Sequence, residues 1–445
     1  MSGPGGATSA LALPEAGRPA VMTREAEAIP SWPTYAALGA WTLIGLGISA
    51  HDGEWSSWGL GALIVAFGLL VAATLAGGRL VPPTRRMLAV PVAVALVASI
   101  AHPARRLMHV HGAALDAVDV LAAVTVAVAL LTLLLRRSSV GWLIGAGFAA
   151  ATGILTIVVV PDPHIDVWYL LQQSSTGLLH GRDMYRQHWA HSHGLQAIYP
   201  YLPMTTVLLA PFRWLAGDVR AGLLLATLLT SAQLRRLAPA APAALALLVL
   251  VHPHWTFLID QSWTEPLLVF LLATAIVAMT RDQPVLAVIA LAVALACKQH
   301  IVLLLPLFAL WPRFGLRRTI ASAVLAFLLV LPWILWSPAQ FWHDAVKANL
   351  DLGVIPRALC VPTLLSRHDL HVGFWFTVLV LVVAYAVVLW RAPRTPSGLA
   401  LGSAVVLLGL DLANKQSFFN HYTLPMGLLV IAMAAAAESR QEAAT

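Results

Sequence analysis

Residues 116–160 read DAVDVLAAVTVAVALLTLLL, then RRSSVG, then WLIGAGFAAATGILTIVVV, and this pair of apolar runs decides the fold class. A helix needs about 17–25 apolar residues to cross a hydrocarbon core about 30 Å thick, and each run is close to that length. Unpaired backbone N–H and C=O groups are too costly in lipid, so both runs are expected to be helices. Working outward, apolar segments precede this pair at about 33–50, 59–76 and 88–101. Others follow at about 238–258, 264–280, 285–297, 301–312, 320–336, 372–390, 398–412 and 423–437. Between them, 203–235 holds two short apolar pieces split by Gly217-Asp218, read as one net crossing with one piece re-entrant. The expectation is an all-α, polytopic integral membrane protein of roughly fourteen crossings.

Composition agrees. Of 445 residues, 59% are hydrophobic and 11% charged, against roughly a quarter charged in a soluble domain. Sixteen Trp suit interfacial aromatic belts. Residues 1–30 are rich in Pro, Gly, Ala and Ser without a basic region leading into an apolar one. They read as a disordered cytoplasmic tail rather than a signal peptide. The net charge of +7 is that of basic cytoplasmic loops, so no nucleic-acid partner is expected. Cys297 falls in an apolar helix and Cys360 in a polar loop, with no zinc-type spacing and no disulfide expected.

Basic residues orient the chain. Arg85-Arg86, Arg136-Arg137, Arg235-Arg236, Arg281, the Arg313/Arg317/Arg318 group and Arg391/Arg394 all fall in alternate connections. The positive-inside rule places these, and both termini, in the cytoplasm; Arg105-Arg106 is then the exception. The stretch 162–201 is too polar to span and too aromatic for a free linker, so interfacial amphipathic helices are expected there.

This threading gathers the polar residues. Asp162 and Asp166, then Asp260, Gln261 and Glu265, then Lys298, Gln299 and His300 all reach the outer side. So do Lys347, Asn349, Asp351 and Arg357, and finally Lys415, Gln416, Asn420 and His421. Ionisable groups at membrane depth are costly and usually functional. Carboxylates can take a proton from an attacking hydroxyl, and cations can stabilise a departing phosphate. The lipid bilayer is the partner these features require.

Three stretches carry a resemblance. Asp166-Val167-Trp168-Tyr169-Leu170-Leu171, Gly177-Leu178-Leu179-His180-Gly181-Arg182-Asp183-Met184-Tyr185 and Tyr199-Pro200-Tyr201-Leu202-Pro203 resemble the first external loop of GT-C glycosyltransferases, most closely glycosyltransferase family 87. Asp260-Gln261-Ser262-Trp263 resembles that family's Gly-Gln-x-Asn turn. Ala294 to Gln299 resembles its small-residue helix ending in lysine, and Asn414 to Tyr422 the polar-aromatic entry to its last helix. The likeness covers about 142–437. The chain departs from the family at Asp260 and Trp263, and in four extra helices before residue 142.

The resemblance implies a metal-independent, cofactor-free, inverting enzyme with a GT-C-like fold. It would move a sugar, mannose favoured over arabinofuranose, from polyprenyl phosphate to an envelope glycolipid or polysaccharide. It places 142–437 as the catalytic domain, 31–141 as accessory transmembrane helices and 438–445 as a cytoplasmic tail. It puts the active site on the extracytoplasmic face of the plasma membrane.

Carried over residue by residue, Asp166 is the base, with Asp162 in reserve; as a structural residue Asp166 would cap the helix that follows it. Lys298 would hold the donor phosphate, helped by Arg182 and Arg186, or would instead pair with Glu265 or Asp260 at a helix break. Gln261, Glu265, Lys415, Tyr169 and Tyr201 complete the substrate-binding set. His421 would orient substrate or relay a proton, or be an interfacial hydrogen-bonded histidine. Glu265 would alternatively answer its helix dipole. Trp189 and Tyr199, like Tyr169 and Tyr201, suit sugar stacking or the aromatic belt. His188, His191, His193, His252 and His254 have spacings that bind zinc or copper, yet no completing ligand motif is present, and no metal site is expected. The competing readings are a polyprenyl-lipid transporter or flippase, which would be expected to show repeated halves, and a non-catalytic membrane scaffold.

Overall fold

The computed structural model describes residues 31–101, 112–135, 139–192, 195 and 197–442. The N-terminal tail, Arg105-Arg106, Arg136-Arg137, His193 and the end of the C-terminal tail lie outside the described residues. Regular structure among the described residues is helical, with one isolated antiparallel bridge from Glu54 to Ala358.

The first runs form α1 (Trp32–Ser49), α2 (Ser57–Leu75), α3 (Arg85–Ala101), α4 (Ala113–Leu135) and α5 (Ser139–Val159). Next come α6 (Asp166–Leu179), α7 (Met204–Ala216) and α8 (Arg220–Leu237). The last two meet at a 111° bend where Gly217 takes a left-handed backbone (φ +80°), as the end of a helix favours. Two short pieces follow, α9 (Ala243–Leu247) and α10 (Trp255–Asp260), then α11 (Glu265–Thr280) and α12 (Pro284–Leu295). A 3-10 stretch (Gln299–Leu304) leads into α13 (Leu305–Leu310) and then α14 (Gly315–Trp336). The connection after α14 holds α15 (Pro338–Phe341), a π-helical turn (Trp342–Lys347), α16 (Ala348–Asp351) and α17 (Val361–Ser366). Finally α18 (Phe374–Arg391), α19 (Pro396–Ala413) and α20 (Phe419–Glu442) close the chain.

Among the described residues seven helices, α2, α4, α5, α14, α18, α19 and α20, are long and apolar enough to cross a membrane alone, or eight spans if the bent α7–α8 pair counts as one. The chain is therefore a multi-pass membrane protein by length and composition, with fewer full spans than the fourteen expected. α11 and α12, at 16 and 12 residues, rise only 1.5 Å per residue and fall short of a bilayer.

The segment at 238–258 is a clearer correction. It is broken into α9, a 3-10 turn and α10. Pro253 disfavours helix at His252 before it, and His254 turns left-handed (φ +59°). Among its described residues the interfacial stretch likewise holds one α-helix, α6, and a single 3-10 turn at Met184–Arg186.

α19 and α20 are the central helices: 94% of each apolar window is buried, against 11% for α18. α1, α2 and α11 pack around this pair. Close approach is set by small residues, as between helices in lipid: a Cβ on Gly47 of α1 would lie 2.9 Å from the Gly59 carbonyl oxygen of α2.

The bundle has two distinct ends. At one, Arg281 donates to Arg236 O (2.6 Å), Arg313 to Thr280 O (3.2 Å) and Arg235 to Ser139 Oγ (3.3 Å), while Arg394 stacks on Trp311. The five polar groups singled out in the sequence meet at the other.

Candidate functional site at the polar end of the bundle

The site begins with a break in an apolar run. After α12 the backbone passes extended through Lys298 (φ −148°, ψ 131°). Its carbonyls are claimed from outside the helix. Cys297 O accepts from Leu202 N–H (3.1 Å) and Thr205 Oγ1 (2.7 Å), and Ala296 O from Met204 N–H (3.1 Å). The Tyr199–Pro203 stretch therefore docks onto the Lys298 break. Gln299 Nε2 extends the seam, donating to Pro200 O (2.8 Å) and Ala345 O (2.7 Å).

Lys298 then points inward. Its Nζ lies 2.5 Å from Glu265 Oε1 and 5.6 Å from the Tyr201 ring centroid. Asn420 Nδ2 donates to the same Glu265 oxygen (2.9 Å). Of the two readings of Lys298, the pairing with Glu265 is formed, so its charge is shared with a carboxylate. His421 and His300 lie in the electrostatic field of Lys298.

Asp166 approaches from α6, where it is the first helical residue after extended Ile165. Its Oδ1 accepts the Val167 N–H (2.7 Å), satisfying one of the free donors of a helix start. Burial raises this carboxyl above the ordinary 3.8, against the pull of the backbone hydrogen bonds at the helix start. Tyr201 lies within electrostatic range of both Glu265 and Asp166, a neighbour that the α6 carboxylate and the Lys298 pair share. Asp162 differs. Burial alone would raise it, but the Tyr169 hydroxyl (2.6 Å), the His164 amide (3.3 Å) and nearby histidine charge bring it below its ordinary value. Tyr169 is thus engaged with Asp162 rather than with Lys298; its own hydroxyl is pushed up to about 12 by burial and that carboxylate.

α6 is held in place by a polar seam to the α7–α8 bend. Gln172 donates to Gly217 O (2.8 Å) and accepts from Val219 N–H (3.1 Å), and Trp168 Nε1 lies 3.3 Å from Asp218. Asp218 closes on buried Arg220 at 2.7 Å, and Arg220 also donates to Val160 O (2.6 Å) at the end of α5.

The remaining candidates are scattered. Gln261 is buried and donates to Asp260 Oδ2 (2.6 Å). Lys415, its ammonium held below the usual value by burial, donates to Leu350 O (2.6 Å) in the outer connection. Arg182 is exposed, and Arg186 sits 3.9 Å from Asp183 while donating to Trp336 O (3.3 Å). Neither arginine touches the Lys298 pair. Both cysteines are free and buried.

Two features were not singled out from the sequence, and a third turn that was singled out shows more than its residue types suggested. Asp411, near the end of α19, is buried within the fields of Glu265 and Lys298; a lone carboxylate in the run GLDLAN was its available signal. The buried Asp218–Arg220 pair had been seen only as a helix split. The turn 260–265 carries four buried polar atoms without a hydrogen-bond partner among the described residues, Asp260 Oδ1, Ser262 Oγ, Thr264 Oγ1 and Glu265 Oε2. Most buried polar groups are paired, so this turn keeps unused capacity for a polar guest.

The first helices also reach this end. Asp52 Oδ1 lies 3.3 Å from His254 Nδ1, Arg357 pairs with Glu54 (2.9 Å), and Trp55 N–H donates to Arg357 O (2.8 Å). Gly53 packs against Phe419, around which His254, Phe257 and Trp263 gather. Among the described residues no group of three His, Cys, Asp or Glu side chains could hold a metal. His188 lines a surface groove with His343, whereas His252 and His254 flank Phe419.

Comparison with protein-family models, curated proteins and solved structures gave no match.

Proposed function

We propose that the chain is an inverting membrane glycosyltransferase that moves a sugar, mannose favoured, from polyprenyl phosphate to an envelope glycolipid or polysaccharide. Asp166 takes the proton of an acceptor hydroxyl. The acceptor oxygen attacks the anomeric carbon as the bond to the phosphate oxygen breaks, and the electron pair leaves with polyprenyl phosphate. Lys298 and its neighbours offset the leaving charge. The reaction takes place at the extracytoplasmic face of the plasma membrane, opposite the arginine-bearing end, which the positive-inside rule makes cytoplasmic.

The observation that carries this reading is the grouping of Asp166, Tyr201 and the Lys298–Glu265 pair. A desolvated carboxylate with a raised pKa suits a general base, and the unpaired polar atoms of 260–265 suit sugar hydroxyls. Arg182 and Arg186 have no place in this grouping and drop from the phosphate role. Asp411 supports the second reading. Two carboxylates around one buried lysine are also what an ion-coupled lipid transporter would carry.

Membranes containing the protein, supplied with a panel of radiolabelled polyprenyl-phosphate sugars, separate the two. A new glycosidic product with inverted configuration is expected. A retained configuration overturns the mechanism, and lipid moved across the bilayer unchanged establishes the transporter.

A further inference from the structure

The arginine-bearing end contains a groove of about 550 Å³ that the proposed reaction does not use. It lies where α5 begins and where α8 and α11 end, and is lined by Ser139, Trp142, Arg235, Arg236 and Arg281. Arg235 donates to Pro239 O (2.8 Å) and to Ser139 Oγ (3.3 Å), and Arg281 to Arg236 O (2.6 Å). These bonds fix two guanidinium groups against helix C-termini, whose partial negative charge is only about half a unit each. The Arg236 guanidinium is exposed and donates to no acceptor among the described residues. Among the described residues no carboxylate lines the groove; Asp282 follows Arg281 but is not part of its wall.

Below the cations the wall turns apolar. Trp142 is anchored by Nε1 to Ser231 Oγ (3.0 Å), Leu143 in the wall stands 61% exposed, and Val140, outside the wall but three residues before Leu143 on α5, is 57% exposed; α5 is itself a candidate span. Fixed cations at a helix end, above an apolar strip on a spanning helix, match a phospholipid with its phosphate at the mouth and a chain along the helix. A soluble anion has no use for the strip.

We propose that this groove binds the headgroup of an anionic phospholipid, with Arg236 and Arg281 holding the phosphate and the α5 strip holding an acyl chain. The inference does not depend on the glycosyltransferase reading.

The test is lipid retention by the purified full-length protein in native mass spectrometry, with phosphatidylglycerol against phosphatidylcholine. Selective retention of phosphatidylglycerol is expected, reduced about fivefold by Arg236→Gln or Arg281→Gln. Arg236→Lys, which keeps the charge, should retain binding. Arg317→Gln, at the same end but outside the groove, should change nothing. Excess inorganic phosphate should not displace the lipid. Equal retention of both lipids, an equal loss with Arg317→Gln, or displacement by phosphate alone each overturns the proposal.

Discussion

At the arginine-bearing end, Arg281, Arg313 and Arg394 direct hydrogen bonds to backbone carbonyls, and Arg235 to Pro239 O and the Ser139 hydroxyl. At the polar end, Lys298 and Arg220 are closed onto carboxylates, with Glu265 1% and Arg220 0% exposed as side chains. The difference is one of dielectric. Cations at a wet helix terminus gain a little from the dipole and lose little when removed. Cations inside the bundle exist only because a carboxylate balances them, and removing one partner leaves a stranded charge. The polar end is therefore where mutations should be severe and where chemistry needing a low dielectric is available.

The contrast orders the expected effects. Lys298→Met should be the most damaging, losing about 3–5 kcal/mol by leaving Glu265 buried and unbalanced. Lys298→Met combined with Glu265→Leu should recover most of that in chemical unfolding in mixed micelles. Equal losses in the single and double variants would mean that the pair is not coupled. Arg220→Met should come next, at about 3 kcal/mol. It strands Asp218, 12% exposed, and frees the end of α5, which hydrogen exchange at Val160 and Asp166 would report.

Gly53→Ala should cost about 1–3 kcal/mol from left-handed strain, because Gly53 has φ +79° and a Cβ there would run into the Phe419 backbone. It should also loosen the polar end while leaving the α18–α19 packing intact. Arg236→Gln should be the smallest, within about 0.5 kcal/mol in detergent. A loss there as large as that of Lys298→Met would erase the distinction between the two ends.

The spanning runs were legible because lipid imposes one rule, internally satisfied backbone over a known length. Gly217-Asp218 was readable as a bend for the same reason that Gly suits a left-handed helix end. The break at 251–254 was not readable from hydropathy, which hides it inside a continuous apolar run; Pro253 was its one mark. Charge clusters around Lys298 stood out because each interrupts an apolar helix. Asp411 did not, since a single carboxylate in α19 acquires meaning only when α11 and the Lys298 break come beside it. The contribution of 50–56 to the polar end was equally hidden. A short loop after the first helix gives no local sign that it will meet Arg357 some 300 positions later, or Phe419 further on still.

The central claim, that Asp166 is a desolvated base, is tested most directly by comparing sugar transfer by wild type and Asp166→Asn in the same membranes across pH. Because burial raises the folded carboxyl above 3.8, the ionised form costs stability. That contribution is favourable below the unfolded value and lost as pH rises through the folded one. The account predicts a folded Asp166→Asn protein at least as stable as wild type at neutral pH. Its transfer should be about 10²–10⁴-fold slower, and wild-type activity should fall on acidification through a pKa above 3.8. Equal transfer by both proteins, or an unchanged acid limb in the variant, would contradict it.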